Sequence, residues 1–209
     1  MSLLIKPKSS ITVNAMAKKG IRNTKSRIVD AAWKLFYEQG YESTTVEEII
    51  AVSGTSKGSF YHYFGSKDDL LGSLAYLFDE KYEELAAGDA LEKNAIDALL
   101  YLNRELFAMI ENRIDLSLLS RLLSTQLTVQ GGKQLLDRNR VYFKLLRRIV
   151  SEGQARGEIT EEMTVGEIVR LYAMTERGLL YDWCLRGGDY SLSAYAQMTL
   201  PLFLQALKK

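Results

Sequence analysis

The only histidine of the chain, His62, stands between Tyr61 and Tyr63 in the run SKGSFYHYFGSKDDLL at residues 56–71. Imidazole, phenol, hydroxyl and ammonium groups set this close together serve metal ligation, acid–base catalysis or the recognition of nucleic acid. Ligation requires companions, yet there is no second histidine and the one cysteine, Cys184, lies far along the sequence. Catalysis requires a nucleophile or paired carboxylates on the same face, and none accompanies His62. No nucleotide-binding glycine motif occurs in the chain. We therefore expect no metal, no cofactor, no catalytic residue and no enzyme activity. DNA recognition uses the groups that are present: hydroxyls and the imidazole bond phosphates or base edges, and Gly58 lets a helix backbone come close.

That reading needs the run to be a helix with one face free. At about 100° per residue, Phe60, Tyr63 and Phe64 fall on one side, while Gly58, Tyr61 and His62 fall on the other, flanked by Lys57 and Ser59. The first side is expected to be core. Upstream, Thr45 and Glu48 make a capping box for a short helix carrying Val46, Ile49 and Ile50, which ends near Gly54, and Ser56 caps the next helix over 57–64. Two short helices joined by such a turn form a helix-turn-helix, whose second helix enters the major groove of DNA. Ahead of it, Ile28, Ala31, Ala32, Leu35 and Phe36 mark a helix from Thr24 to Gly40, with Tyr41 packing back on Phe36. After it, Ser66 and Asp69 open a fourth helix bearing Leu70, Leu71, Leu74, Leu77 and Phe78. Lys67 lies in its first turn, where free backbone N–H groups favour a phosphate.

Apolar residues recur at three- and four-residue intervals almost throughout, so the whole chain is expected to be all-α. Further helices are expected at about 90–112, 115–125, 133–156, 164–186 and 191–207, separated by glycines. Thr164 and Glu167 form a second capping box, and Pro201 is expected to kink the last helix. Residues 1–22, polar and basic, read as a disordered arm, 23–68 as the helix-turn-helix domain and 69–209 as a larger helical domain. Residues 1–67 hold ten Lys/Arg against five Asp/Glu, which leaves 17 against 21 for the rest, an asymmetry that suits a nucleic-acid-binding head on a body that avoids nucleic acid. A lone cysteine forms no disulfide within the chain, no apolar run is long enough to span a membrane, and the opening MSLLIKPK is too short in apolar residues for a signal peptide. The expected compartment is the cytoplasm.

The run from Thr24 to Leu71 resembles the N-terminal domain of the TetR family of bacterial transcriptional regulators. The resemblance is carried by A-x-x-L-F-x-x-x-G-Y at 32–41, T-T-V-x-x-I at 44–49, G-x-S-x-G-S-F-Y-H-Y-F at 54–64, and the Ser66-Lys67 pair that follows. It implies an N-terminal three-helix DNA-binding domain followed by a larger helical ligand-binding and dimerisation domain. It also implies DNA contacts at Thr45, Lys57, Gly58, Ser59, Tyr61, His62, Tyr63 and Lys67. Tyr63 sits awkwardly in that set, since its helical position is beside the core. The family's members bind pseudo-palindromic double-stranded operators as homodimers, usually as repressors, and are released by a small-molecule inducer.

On that pattern the last two helices pair between subunits, and Gly178, Tyr181 and Leu185 with Tyr195, Leu202 and Phe203 are candidates for the dimer face. An inducer site is expected among the preceding helices. Its aromatic candidates are Tyr101, Phe107, Tyr142, Tyr172 and Trp183, and the polar ones Asn103, Glu105, Thr175 and Glu176. A small apolar or amphipathic ligand fits such a lining. The alternative is a DNA-binding protein of the same fold controlled by a protein partner or acting structurally, without an inducer.

Overall fold

A computed structural model describes residues 23–128 and 133–209. The expected arm at 1–22 lies outside the described residues. The chain divides into two compact units, one ending at Ser73 and one spanning Leu74–Lys209, so the break falls beyond the expected 68/69 boundary.

The first unit holds α1 (Thr24–Gln39), α2 (Val46–Ser53), α3 (Lys57–Tyr63) and the single turn α4 (Lys67–Leu71). Helix α1 starts where the Asn23 side chain accepts a hydrogen bond from Ser26 N at 2.8 Å. It buries Ile28, Val29, Ala31, Ala32, Leu35 and Phe36, and packs on α2 and α3. The Tyr41 ring returns to Phe36 at 4.9 Å. The expected long fourth helix is instead two, α4 and α5, broken at Gly72 and Ser73. Ser73 explains the break: its hydroxyl donates to the Leu70 carbonyl at 2.6 Å and accepts from Trp33 Nε1 at 2.6 Å, offering the backbone an alternative to the helical ladder.

The second unit contains α5 (Leu74–Ala87), α6 (Ala95–Arg113), α7 (Leu116–Thr128), α8 (Val141–Ala155), α9 (Val165–Leu185) and α10 (Leu192–Gln205), with 3₁₀ turns at Asp89–Glu92 and Gln134–Leu136. Within it α10 packs on α6, α8 on α5, α6 and α9, and α7 on α9. Two starts differ from expectation for local reasons. Asn94 caps α6 by accepting from Ile96 N at 3.0 Å, so residues before it form only the 3₁₀ turn. Helix α8 begins at Val141 because Asp137 turns the preceding chain, accepting from Asn139 N at 2.9 Å. The Thr164–Glu167 capping box forms as expected, and α10 runs through Pro201 as one element. No strand occurs among the described residues, only an isolated bridge between Ile159 and Lys208.

Candidate nucleic-acid interface and ligand cavity

The turn that presents α3 is fixed from both sides. Thr45 Oγ1 accepts from Glu48 N at 3.2 Å while the Glu48 carboxylate accepts from Thr45 N at 2.7 Å and from the Thr45 hydroxyl at 2.8 Å. These bonds, the backbone one first, hold the Glu48 carboxyl below its ordinary range. At the other end Gly54 closes α2 with φ of 60°, a conformation that side chains rarely adopt. Arg27 of α1 reaches across to donate to the Ser53 and Gly54 carbonyls at 2.6 and 2.8 Å. A Cβ on Gly54 would lie 2.9 Å from that guanidinium, so the glycine serves the turn and the clamp together.

Helix α3 then starts on Ser56, whose hydroxyl accepts from Ser59 N at 3.1 Å. Phe60 is completely buried and Phe64 nearly so, which seats the inner side. Lys57, Gly58 and His62 are exposed, as are Tyr61 and Tyr63 at 48% and 41%. Tyr63 thus differs from its expected place beside the core: its ring stands edge-on to His62 at 4.8 Å, on the open surface. Tyr63 is the last residue of the helix, which closes on Phe64. Ser59 is half-buried, its hydroxyl 2.9 Å from that of Ser56. A Cβ on Gly58 would meet nothing nearer than Ser56 Oγ at 3.9 Å, so packing within the chain gives no reason for a glycine in this helix.

Lys67 departs from its expected role in a helix-terminal anion site. Its ammonium donates to the Tyr41 and Thr44 carbonyls at 2.7 and 2.8 Å and lies over the Tyr41 ring at 4.2 Å. The first turn of α4 carries Asp68 and Asp69, and the Asp69 carboxylate accepts from Gly65 N at 2.8 Å. That turn presents negative charge, and Lys67 acts first as a latch on the loop that carries Thr45.

In the second unit a cavity of about 50 Å³ lies among α5 to α9. Its walls are apolar except for Arg140, Glu176 and Arg177, with Phe107 and Tyr142 among the lining rings. The other three aromatic candidates are elsewhere, held by local chemistry. Tyr101 is half-buried between Lys93 and Arg104, which lie over its ring at 5.0 and 5.3 Å. Tyr172 is fully buried and joins α9 to α6 by donating to the Leu99 carbonyl at 2.8 Å. Trp183 is buried near the end of α9 and donates to the Tyr190 carbonyl at 2.9 Å. Sequence reasoning overlooked Phe78 and Tyr82 of α5, the leucines of α7, Arg140 and Arg177. Periodicity gave a signal for Glu176, since Ile168, Val169, Tyr172, Glu176, Leu180 and Trp183 share the buried side of α9.

Glu176 is the polar centre of that wall. One oxygen accepts from Asn103 Nδ2 at 2.8 Å and the other from the Tyr142 hydroxyl at 2.5 Å. Burial pushes its carboxyl above the ordinary range in spite of these donors. The neighbouring Tyr82, Tyr142 and Tyr172 phenols are pushed well up by burial and then by the Glu176 charge. Asn103, Glu105 and Thr175, the other polar candidates, are not among the residues that line the cavity. No cluster of metal-ligating side chains occurs among the described residues.

A third surface lies on α9 and α10. Met174, Tyr181 and Leu185 project from α9, and Tyr195, Met198 and Leu202 from α10, with Leu185 70% and Leu202 76% exposed. Their three- and four-residue spacing makes each set one stripe. Gly178 belongs to the α9 stripe, and a Cβ there would meet nothing within 4 Å. Phe203 is half-buried.

Two family models together cover almost all of the described chain. The model described as bacterial regulatory proteins, tetR family, matches residues 28–74, and that of the YsiA-like protein, C-terminal region, matches residues 75–206. The fatty acid metabolism regulator protein of Bacillus subtilis (strain 168) is 26% identical over 185 residues, 87% of this chain and 94% of its own length. The structure of a transcriptional regulator FadR from Bacillus subtilis, in complex with stearoyl-CoA, superposes with a TM-score of 0.64 at 26% identity, over 88% of this chain and 99% of that one. Thermus thermophilus FadR, in complex with lauroyl-CoA, shares the fold with a TM-score of 0.73 at 20% identity, over 88% and 93% of the two chains.

Proposed function

Because the chain belongs to the TetR family of ligand-responsive DNA-binding transcriptional regulators, we propose that it is a homodimeric repressor released from a palindromic operator by a long acyl chain carried on coenzyme A. The observation that carries the DNA side is the outer face of α3. Polar and aromatic groups are exposed there around a glycine that packing does not demand, above a fully buried Phe60. In this reading Lys57, Tyr61 and His62 reach base edges or phosphates, with Tyr63 beside them, and Gly58 lets the helix settle into the groove. Thr45, Ser59 and Lys67 serve at the phosphate backbone, Lys67 through the one N–H its two carbonyls leave over. A regulator of this kind works in the cytoplasm; no described helix is long and apolar enough to cross a membrane.

Dimerisation is assigned to the α9 and α10 stripes, where Gly178, Tyr181, Leu185, Tyr195, Leu202 and the partly covered Phe203 would meet their copies. Two stripes of exposed Leu, Met and Tyr on adjoining helices are costly to leave in water and supply the apolar area a helix–helix interface needs.

The ligand class rests on the relatives named for fatty acid metabolism and on the one holding stearoyl-CoA, together with the apolar cavity walls. At about 50 Å³ the cavity is far below the roughly 300–1,000 Å³ of a typical ligand site. A chain must therefore enlarge it, and a conformation selected by that expansion is one that need not fit the operator. Such differential fit is what couples the two sites. The small volume is also the one observation favouring the second reading, control by a protein partner. Titrating the protein–operator complex with stearoyl-CoA separates them: release by about 5- to 150-fold supports the acyl ligand, and unchanged operator affinity at saturation favours the partner.

A further inference from the structure

The first turn of α2 carries two adjacent carboxylates, and the fold uses only one of them. Glu48 is taken: it accepts from Thr45 N at 2.7 Å, from the Thr45 hydroxyl at 2.8 Å and from Gln39 Nε2 at 3.2 Å. Glu47 makes no hydrogen bond among the described residues, and its side chain is 72% exposed. Its ion pair reaches across the turn, where Oε1 lies 3.9 Å from Nζ of Lys57, the first residue of α3. Both members stand in the open, so the pair adds little to the stability of the fold. Lys57, however, opens the helix whose N-terminal residues a helix-turn-helix sets against base edges. Residues 23–73 hold five Lys/Arg against seven Asp/Glu, so no surplus of cations offsets a carboxylate brought up to phosphates. On entering the groove Glu47 loses water and needs a donor there.

We infer that Glu47 is a specificity-determining residue of the operator interface: with Lys57 it reads one G·C base pair in each half-site, the ammonium on guanine and the carboxylate on the amino group of the paired cytosine. The inference rests on the reading of the outer face of α3 as the surface that meets DNA. In the major groove a G·C pair offers two acceptors, guanine O6 and N7, beside one donor, the cytosine N4 amino group. O6 and N4 are hydrogen-bonded to each other within the pair, so they lie about 3 Å apart. A cation and a carboxylate held 3.9 Å apart match that neighbouring acceptor and donor. A base that turns an acceptor or a methyl group toward Glu47 leaves its charge desolvated and unpaired, while the phosphates repel it. The residue that favours cytosine thus also weakens binding to other sequences.

The test selects binding sites from a pool of random-sequence duplexes with the full-length protein and with its Glu47→Gln, Lys57→Gln and Tyr61→Ala variants. Affinities are then measured on the selected site, on copies of it with single base-pair changes, and on random-sequence DNA. The unaltered protein should select a G·C pair at one fixed position of each half-site, and changing that pair should weaken binding about tenfold. Glu47→Gln should cut this loss to within about threefold at that position alone, since an amide both accepts and donates. It should also bind random-sequence DNA about threefold more tightly, because a charge that phosphates repel is gone from each subunit. Glu47 is exposed, so the variant should unfold at the same temperature as the unaltered protein. A Glu47→Gln variant that selects the same sequence with the same loss on changing it would overturn the assignment. Equal gains on the selected site and on random DNA would also overturn it, since they mark a carboxylate that only repels. Should Lys57→Gln and Tyr61→Ala leave selection and affinity unchanged as well, the reading of α3 itself falls; a change in those two without one in Glu47→Gln strikes Glu47 alone.

Discussion

The helix-turn-helix unit and the helical body put their chemistry in opposite places. In the first, short helices bury a few rings and hold the groups proposed to meet DNA outside: Phe60 is completely covered while Tyr61, His62 and Tyr63 stand in the open. In the second, long helices hold polar groups inside, with Glu176 almost fully buried in an apolar wall and Asn103 fully buried and bonded to it. An outward site can be read from residue type and helical phase, because the groups that act are those the fold does not use. An inward site cannot, because each lining residue is also core, and only a polar group out of place betrays it.

The sharpest break should come from the apolar stripes. Leu202→Asp lies on a position 76% exposed in the single chain, so the monomer should fold as before. In a dimer the charge would be buried without a partner, and sedimentation should report monomers. Operator affinity should fall by roughly 100-fold or more, since two half-sites are no longer engaged together. A dimer that persists would assign the interface elsewhere. Of comparable size is Phe60→Ala, which empties the only fully buried ring of α3. Thermal or urea unfolding should show a loss of about 3–5 kcal/mol, and DNA binding should go with it.

Outer-face substitutions should separate the two properties. Tyr61→Ala and His62→Ala remove exposed groups, so stability should hold within about 0.5 kcal/mol. Operator binding should weaken by about 1–3 kcal/mol, unevenly across operator variants, if these side chains reach base edges. Uniform loss across sequences would make them phosphate contacts instead.

Inside the body, pH offers a finer probe. The Glu176 carboxyl is raised in the folded chain, so its contribution to stability is complete below the ordinary carboxyl range and is lost as pH climbs through the raised value. Glu176→Gln stays neutral throughout. The stability of the unaltered protein relative to this variant should therefore decline with rising pH and then level off, as urea unfolding between pH 5 and 8 would show. A difference constant with pH would place the raised titration elsewhere.

Much of the first unit was legible because its signals are local. The Thr45–Glu48 capping box, the turn at Gly54 and the phase of Phe60 against Tyr61 each depend on residues within four positions, as does the Thr164–Glu167 box of the second unit. The failures have a common cause, which is that tertiary partners decide them. Lys67 looked like a free cation at a helix start and is held by carbonyls 23 and 26 residues away. Ser73 breaks a helix with the help of Trp33, 40 residues upstream. Tyr172 and Trp183 looked like pocket rings and are occupied by the carbonyls of Leu99 and Tyr190. Arg140 gave no signal, since its partner Asp79 is 61 residues distant.

Gly58→Ala tests the central claim, that the outer face of α3 is shaped for DNA rather than for the fold. A methyl group there finds open space, with Ser56 Oγ the nearest atom at 3.9 Å, and alanine is the better helix former by up to about 1 kcal/mol. Unfolding and operator binding should be measured on the same sample. The account predicts equal or greater stability together with weaker operator binding, on the order of tenfold, because the methyl group holds the helix off the groove. A variant that is more stable and binds its operator as tightly as before would contradict it.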